Sequence, residues 1–273
     1  MRRPTLLPMV ALGVVLAGCG VNQTPEPEPG PELPRCVPDR DGRITADELP
    51  ISLGATSTFY ASPPGVTRTI DLAPDDGRWD LSTEYADDLV LELGPAPLRD
   101  QWYASAFPSG AFVVDAGAGL DGIYHQDAQA LWLDGTASRE MSPSGGRTLV
   151  RYAQPIAVLR FPIIDGDTYA ASAELVDSTV AGLPLQGTDE VEIEVRGGER
   201  LDVPYVRFSP VMQVRMRVTR TPSTGTPVVT RRTTIFLFEC FGEIARAESR
   251  QDEPLADFTT AAYLRRFALG VSP

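Results

Sequence analysis

The chain has 273 residues with 37 acidic and 24 basic side chains, a formal net charge of -13, and every basic residue is arginine. So acidic a surface repels phosphate backbones and anionic headgroups, which sets nucleic acid aside as a partner. At 42% hydrophobic and 22% charged residues the composition is that of a globular protein, long enough for one substantial core or two smaller ones.

The chain opens with Met1-Arg2-Arg3 and an apolar run over 6–17 that contains Pro8. A bilayer-spanning helix needs roughly 20 apolar residues, so this run is too short to span. A basic start, a short apolar stretch and small residues fit an export signal. Leu16-Ala17-Gly18-Cys19 closes the run, and the whole resembles a bacterial lipoprotein signal. That resemblance implies a signal peptide over 1–18, cleavage after Gly18, and Cys19 carrying diacylglycerol on sulfur and a palmitate-type chain on its amine. The bilayer is then a partner through the Cys19 acyl chains. Several chains on one residue anchor stably where a single chain is marginal. Gly20 after the cysteine, in place of Asp, implies the outer membrane, on its periplasmic or cell-surface side. The competing reading is an ordinary cleaved signal with a cysteine there by chance.

Residues 19–35 form a Pro/Glu-rich tether, with alternating Pro and Glu from Pro25 to Pro29. Such a segment stays solvated and extended, reaching about 40–50 Å at polyproline II rise. Once Cys19 is lipidated, only Cys36 and Cys240 remain. An exported chain with two cysteines most simply forms one disulfide, the alternative being two free buried thiols.

Residues 36–50 hold Asp39, Asp41, Gly42, Arg43, Ile44 and Glu48. The segment resembles part of an EF-hand-type calcium loop: with Gly42 as the central glycine, Asp39 and Asp41 take the third and fifth positions. Arg43 offers its carbonyl at the seventh and Glu48 stands at the twelfth. Val37 occupies the first position, where an acid belongs, and Pro50 stops the exit helix. The other reading of the same residues is a capping box, Thr45 to Glu48, over one helical turn entered through an Asp-Gly turn. The capping box accounts for the pattern without a missing ligand; calcium is the one cofactor considered.

From residue 51 to 273 short alternating runs separated by Gly, Pro, Asp and Ser clusters predict an all-β domain. Candidate strands cover 56–61, 66–72, 88–93, 101–107, 111–115, 122–125, 128–133, 147–152 and 156–161, with turns at 74–77 and 108–110 and a loop at 142–146. Val191, Ile193 and Val195 alternate with Glu190, Glu192 and Glu194. A three-residue loop Gly197-Gly198-Glu199 then sets Val195 against Leu201 and Ile193 against Val203. Val206, Phe208, Met212, Val214, Met216 and Val218 share a face opposite Arg207, Gln213, Arg215 and Arg217. Glu190, Glu192 and Glu194 are placed to pair with Arg215 and Arg217, for little energy if exposed. A hairpin loop over 221–227 leads to a strand over 228–241, whose run Ile235-Phe236-Leu237-Phe238 predicts cover on both faces. Another strand spans 243–250. Phe258, Ala261, Leu264 and Ala268 are spaced for a short C-terminal helix over 258–269 capped by Asp257.

Leu159-Arg160-Phe161-Pro162 with Gly166 and Tyr169, Val203-Pro204-Tyr205 with Phe208, and Cys240-Phe241-Gly242 resemble motifs of periplasmic β domains similar to lipoprotein-localisation half-barrels. The resemblance covers roughly 155–250 and implies a curved antiparallel sheet around an apolar hollow; fold alone does not assign function. The expected class is therefore mainly β, a curved antiparallel sheet or half-barrel or sandwich with that short helix.

Catalytic signals are sparse. His125 is the only histidine and has no distinctive neighbour; no nucleophile elbow, zinc spacing or phosphate loop occurs. Tyr60, Trp79, Trp102 and Trp132 suit either core packing or a cleft. The expectation is a non-enzymatic, membrane-anchored binding or structural module. Met212, Val214 and Met216 are its candidate lining for an apolar or acyl ligand. The alternatives are a carboxylate-based hydrolase, which needs two convergent acids, and a calcium-dependent adhesin-like module.

Overall fold

The computed structural model describes residues 36–225 and 229–269. The signal, Cys19, the tether and the tip of the 221–227 loop lie outside them. In chain order the strands begin with β1 (Arg43–Ile44), β2 (Ser57–Ala61), β3 (Arg68–Thr69), β4 (Arg78–Asp80), β5 (Leu89–Leu93) and β6 (Ala96–Pro97). Then come β7 (Phe112–Gly117), β8 (Leu120–Gln126), β9 (Ala130–Ser138), β10 (Leu149–Arg160), β11 (Ile163–Ile164) and β12 (Thr168–Val180). The last are β13 (Leu183–Val203), β14 (Val206–Pro222), β15 (Val229–Phe238), β16 (Gly242–Glu248), β17 (Thr260–Ala261) and β18 (Tyr263–Phe267). Three short 3-10 turns are the only helical pieces among the described residues.

One antiparallel sheet dominates, in the order β5-β2-β18-β16-β15-β14-β13-β12-β10-β9-β8-β7-β6, with β4 joining β13 in parallel. Its two edge strands, β5 and β6, are consecutive in the chain and separated only by Gly94-Pro95. Laid flat, the path would hold its edges about 58 Å apart at the usual strand spacing. A link of three Cα steps spans at most about 11 Å. The sheet therefore rolls until its edges meet at that corner, although no ladder joins β5 to β6 and the barrel is not closed.

The roll gives the sheet two covered faces. On one, Val191, Ile193, Val195, Met212, Val214, Ile235 and Leu237 pack with Leu133, Ile156 and Ile163. On the other, Trp79, Leu201, Val203, Phe208, Val211, Phe236 and Phe238 pack with Phe258 and Leu264. The run 235–238 is thus covered on both sides, as its composition predicts. The face changes because each long strand carries one extra residue. Val195 pairs with Val214 and Leu201 with Phe208, with register shifts on both sides of Glu199. One added residue in a strand sends every later side chain to the opposite face.

That bulge also corrects the expected Gly197-Gly198-Glu199 turn. β13 runs straight through it, with Gly198 at φ 89°, and the chain reverses only at Pro204-Tyr205, where Val203 faces Val206. The mismatch of faces was real, and a bulge produces it. The expected strands 147–152 and 156–161 are likewise one strand, β10, with its irregularity placed around Pro155. Residues 101–107 are not a strand. They form two 3-10-type turns that drop Tyr103 and Phe107 into a third cluster with Leu98, Val113 and Ile123. The C-terminal helix is absent: β17 and β18 occupy its place. Phe258, Ala261, Leu264 and Ala268 are all buried as their spacing suggests. A break at Ala262 between two short strands gives the same spacing as a helix.

The rolled sheet buries charge where its wings meet. Arg265 is 3% exposed and donates to Glu243 (Nε, 2.7 Å) and to the Asp115 carbonyl on β7 (3.1 Å). Arg246 donates to the same Glu243 carboxylate at 2.8 Å. Burial works to raise the Glu243 pKa, but the Arg246 and Arg265 guanidiniums outweigh it and hold the carboxyl below the usual glutamate range. Arg266, 1% exposed, points the other way, to Asp88 and the Leu81 and Thr83 carbonyls. Consecutive arginines buried on opposite sides are what a strand does and a helix does not.

Breaking a buried ion cluster leaves charge uncompensated, so Glu243→Gln should lower stability by about 3 kcal/mol or more in urea denaturation. Because the folded pKa lies below the unfolded one, this stabilisation is full at neutral pH and disappears as pH falls through the folded value. The acid-side loss should be smaller in Glu243→Gln than in the parent; equal slopes would remove Glu243 from that role.

Candidate functional site at the disulfide clamp

The residues that carry the best-defined chemistry gather where the folded region begins. Cys36 is bonded to Cys240, with Cα atoms 5.4 Å apart and a sequence separation of 204. Cys240 follows the end of β15, so the start of the domain is fixed to the corner between β15 and β16. Two further links hold that segment. β1 pairs with β11, Ile44 opposite Ile163, and the Cys240 N–H donates to the Glu48 carbonyl at 2.8 Å.

Between Cys36 and β1 the chain makes two tight Asx turns. Asp39 Oδ1 accepts the Asp41 N–H (3.0 Å) and Asp41 Oδ1 accepts the Arg43 N–H (2.8 Å). Gly42 sits at φ 82°, the region glycine tolerates, so the sharp turn expected there is present. The following turn, Ala46–Glu48, is capped as the sequence suggests: Glu48 Oε2 accepts the Thr45 N–H and the Thr45 hydroxyl, both at 2.8 Å. Gln126 of β8 donates to the Ala46 and Leu49 carbonyls and ties this turn to the sheet.

Of the four residues proposed as calcium ligands, two come together. Oxygens of Asp39, Glu48 and Glu239 lie within 4.8 Å of one another. Asp41 is not in this group; its carboxylate is turned to the Arg43 N–H, and no contact places the Arg43 carbonyl in the group. Sequence reasoning missed Glu239. It lies 200 residues from Asp39, and the only pointer was its position next to Cys240. Glu239 is 4% exposed, accepts one hydrogen bond, from the Arg40 N–H at 2.9 Å, and has no basic side chain in ion-pair range among the described residues. Glu239 thus adds to this turn an acid that the local 36–50 pattern does not contain. Three hard oxygens with no His or Cys suit calcium or magnesium and not zinc.

His125 has a partner that its local sequence hides. Its Nδ1 lies 2.7 Å from Asp134 Oδ2, the Ser109 hydroxyl donates to the other Asp134 oxygen, and the ring stacks on Trp132. The serine meets the aspartate and not the imidazole, so the three do not form a nucleophile–base–orienter chain. The other proposed residues disperse. Trp79 is in the core, Trp102 donates to the Ser138 carbonyl, and Trp132 donates to Asp127. Met212 and Val214 are buried among their own neighbours, and Met216 is half-buried beside them.

No family model matches the chain, and neither the curated proteins nor the solved structures include a match.

A bridge closing 204 residues should stabilise by up to about 5 kcal/mol through loop-closure entropy. Reduction or Cys36→Ser should lower the thermal midpoint by several degrees. Alkylation of the native, unreduced domain should modify neither Cys36 nor Cys240; two modified thiols would refute the clamp.

Proposed function

We propose that this protein is a lipid-anchored, non-enzymatic binding or structural module that works outside the cytoplasm, fastened by Cys19 to the outer membrane. The observation that carries the reading is the Cys36–Cys240 disulfide, which suits an oxidising compartment and sits at the residue where the Pro/Glu-rich tether ends. The rolled antiparallel sheet supports the finer expectation of a half-barrel scaffold. Of the three expected lining residues, Met212 and Val214 are covered by the chain's own side chains, and Met216 is half-buried and lines a groove whose other walls are mostly polar or charged.

Metabolic labelling with a palmitate analogue tests the anchor. Wild-type protein should carry label and sediment with outer membranes; Cys19→Ser should lose the label and the sedimentation together. Wild-type protein that is unlabelled and retains residues 1–18 would overturn the proposal.

A second reading deepens the first: a divalent cation bound by Asp39, Glu48 and Glu239 locks the tether's root. Glu239, buried without a basic partner, favours it. Saturating calcium near 100 times its dissociation constant should add about 2.7 kcal/mol, or roughly 5–10 °C in midpoint. Glu239→Gln should abolish that shift. The same shift in Glu239→Gln, or none in wild type, would leave the turn with its capping role alone.

A further inference from the structure

A groove of about 350 Å³ runs across the outer surface of β12–β15, beneath the segment 253–257. Its floor is a lattice of charge set by strand register. In one row Glu194 of β13, Arg215 of β14 and Thr234 of β15 stand side by side; in the next stand Glu192, Arg217 and Arg232. The first row is balanced: Arg215 pairs with Glu194 at 2.5 Å and with Asp257. The second is not. Arg217 pairs with Glu192 at 3.1 Å, and directly opposite it on the next strand is a second arginine.

Like charges facing each other across a strand pair are destabilising. Arg232 has no carboxylate in ion-pair range among the described residues. Its Nε and Nη2 donate to the Glu253 and Pro254 carbonyls at 2.9 and 3.0 Å, and the Glu253 side chain is turned to the Leu255 N–H. Those bonds fix the guanidinium in place and use only part of its five donors. Burial and then the Arg217 charge pull its pKa down, and the Glu192 and Glu253 carboxylates offset this only in part. In a chain of net charge -13 no general field draws anions to this spot, so any anion would have to be held by these arginines themselves.

We propose that this groove binds a small oxyanion ligand, its carboxylate or phosphate group bridging Arg217 and Arg232. The two arginines are register partners on adjacent strands, and guanidinium donors suit carboxylate and phosphate groups, which accept them in pairs. The groove's volume suits a small molecule, and the exposed Thr168 side chain at its wall supplies a hydroxyl for the rest of it.

Thermal-shift and calorimetric titrations at constant ionic strength test this with three probes: inorganic phosphate, glucuronate and neutral glucose. Wild-type protein should respond saturably to phosphate or glucuronate, the stronger of the two naming the group, and not to glucose. Arg232→Gln and Arg217→Gln should each weaken that binding at least about tenfold. Arg231→Gln, an exposed position on the opposite face of β15, should bind as wild type does. No saturable response to either anion, or unchanged affinity in both groove variants, would overturn the proposal.

Discussion

Two residues, Gly94 and Pro95, impose the shape on which the rest depends. They carry the chain from one edge of the main sheet to the other, a step possible only if that sheet is rolled. Rolling creates an inner and an outer face, and both must then be filled. It also brings β7 against β16 and β18, where Asp115, Glu243, Arg246 and Arg265 meet. Close approach there is unforgiving: a Cβ on Gly117 would stand 2.9 Å from Glu248. Buried ion clusters are weak sources of net stability, but they penalise any arrangement that separates their members. In this protein they fix how the wings of the sheet dock.

Much of this was legible in the sequence. Alternation marked stretches of β13, β14 and β15 as strands, and the expected pairing of glutamates 190–194 with Arg215 and Arg217 is realised as Glu192 beside Arg217 and Glu194 beside Arg215. The cysteine pair was readable from compartment and count alone. What escaped was whatever broke a period of two. The extra residue at Gly198 looked like a turn, since a bulge and a hairpin both put the next apolar residues out of phase. The break at Ala262 made two short strands imitate a helix. β12 was missed because Ala170, Ser172 and Ala173 are too small to print a hydrophobic pattern, although the strand is thirteen residues long.

The candidate site shows the same division. Asp39, Gly42, Thr45 and Glu48 are local, and their turn and cap could be read from spacing. Glu239 and Asp134 act on residues that are remote in sequence or lie across a strand pair, and no one-dimensional pattern announces such partners. The capping box of residues 45–48 and the carboxylate group at the clamp share one residue. Glu48 caps its own turn and still contributes an oxygen to the group that Glu239 completes.

The disulfide also changes what breakage means for this molecule. Cys36 and Cys240 enclose most of the described residues in one covalent ring. A single cut anywhere inside the ring yields no free fragment: both new ends remain joined to whatever precedes residue 36. Protease damage at exposed loops such as 142–146 would therefore leave every piece on the same leash, and two cuts would be needed before anything could drift away.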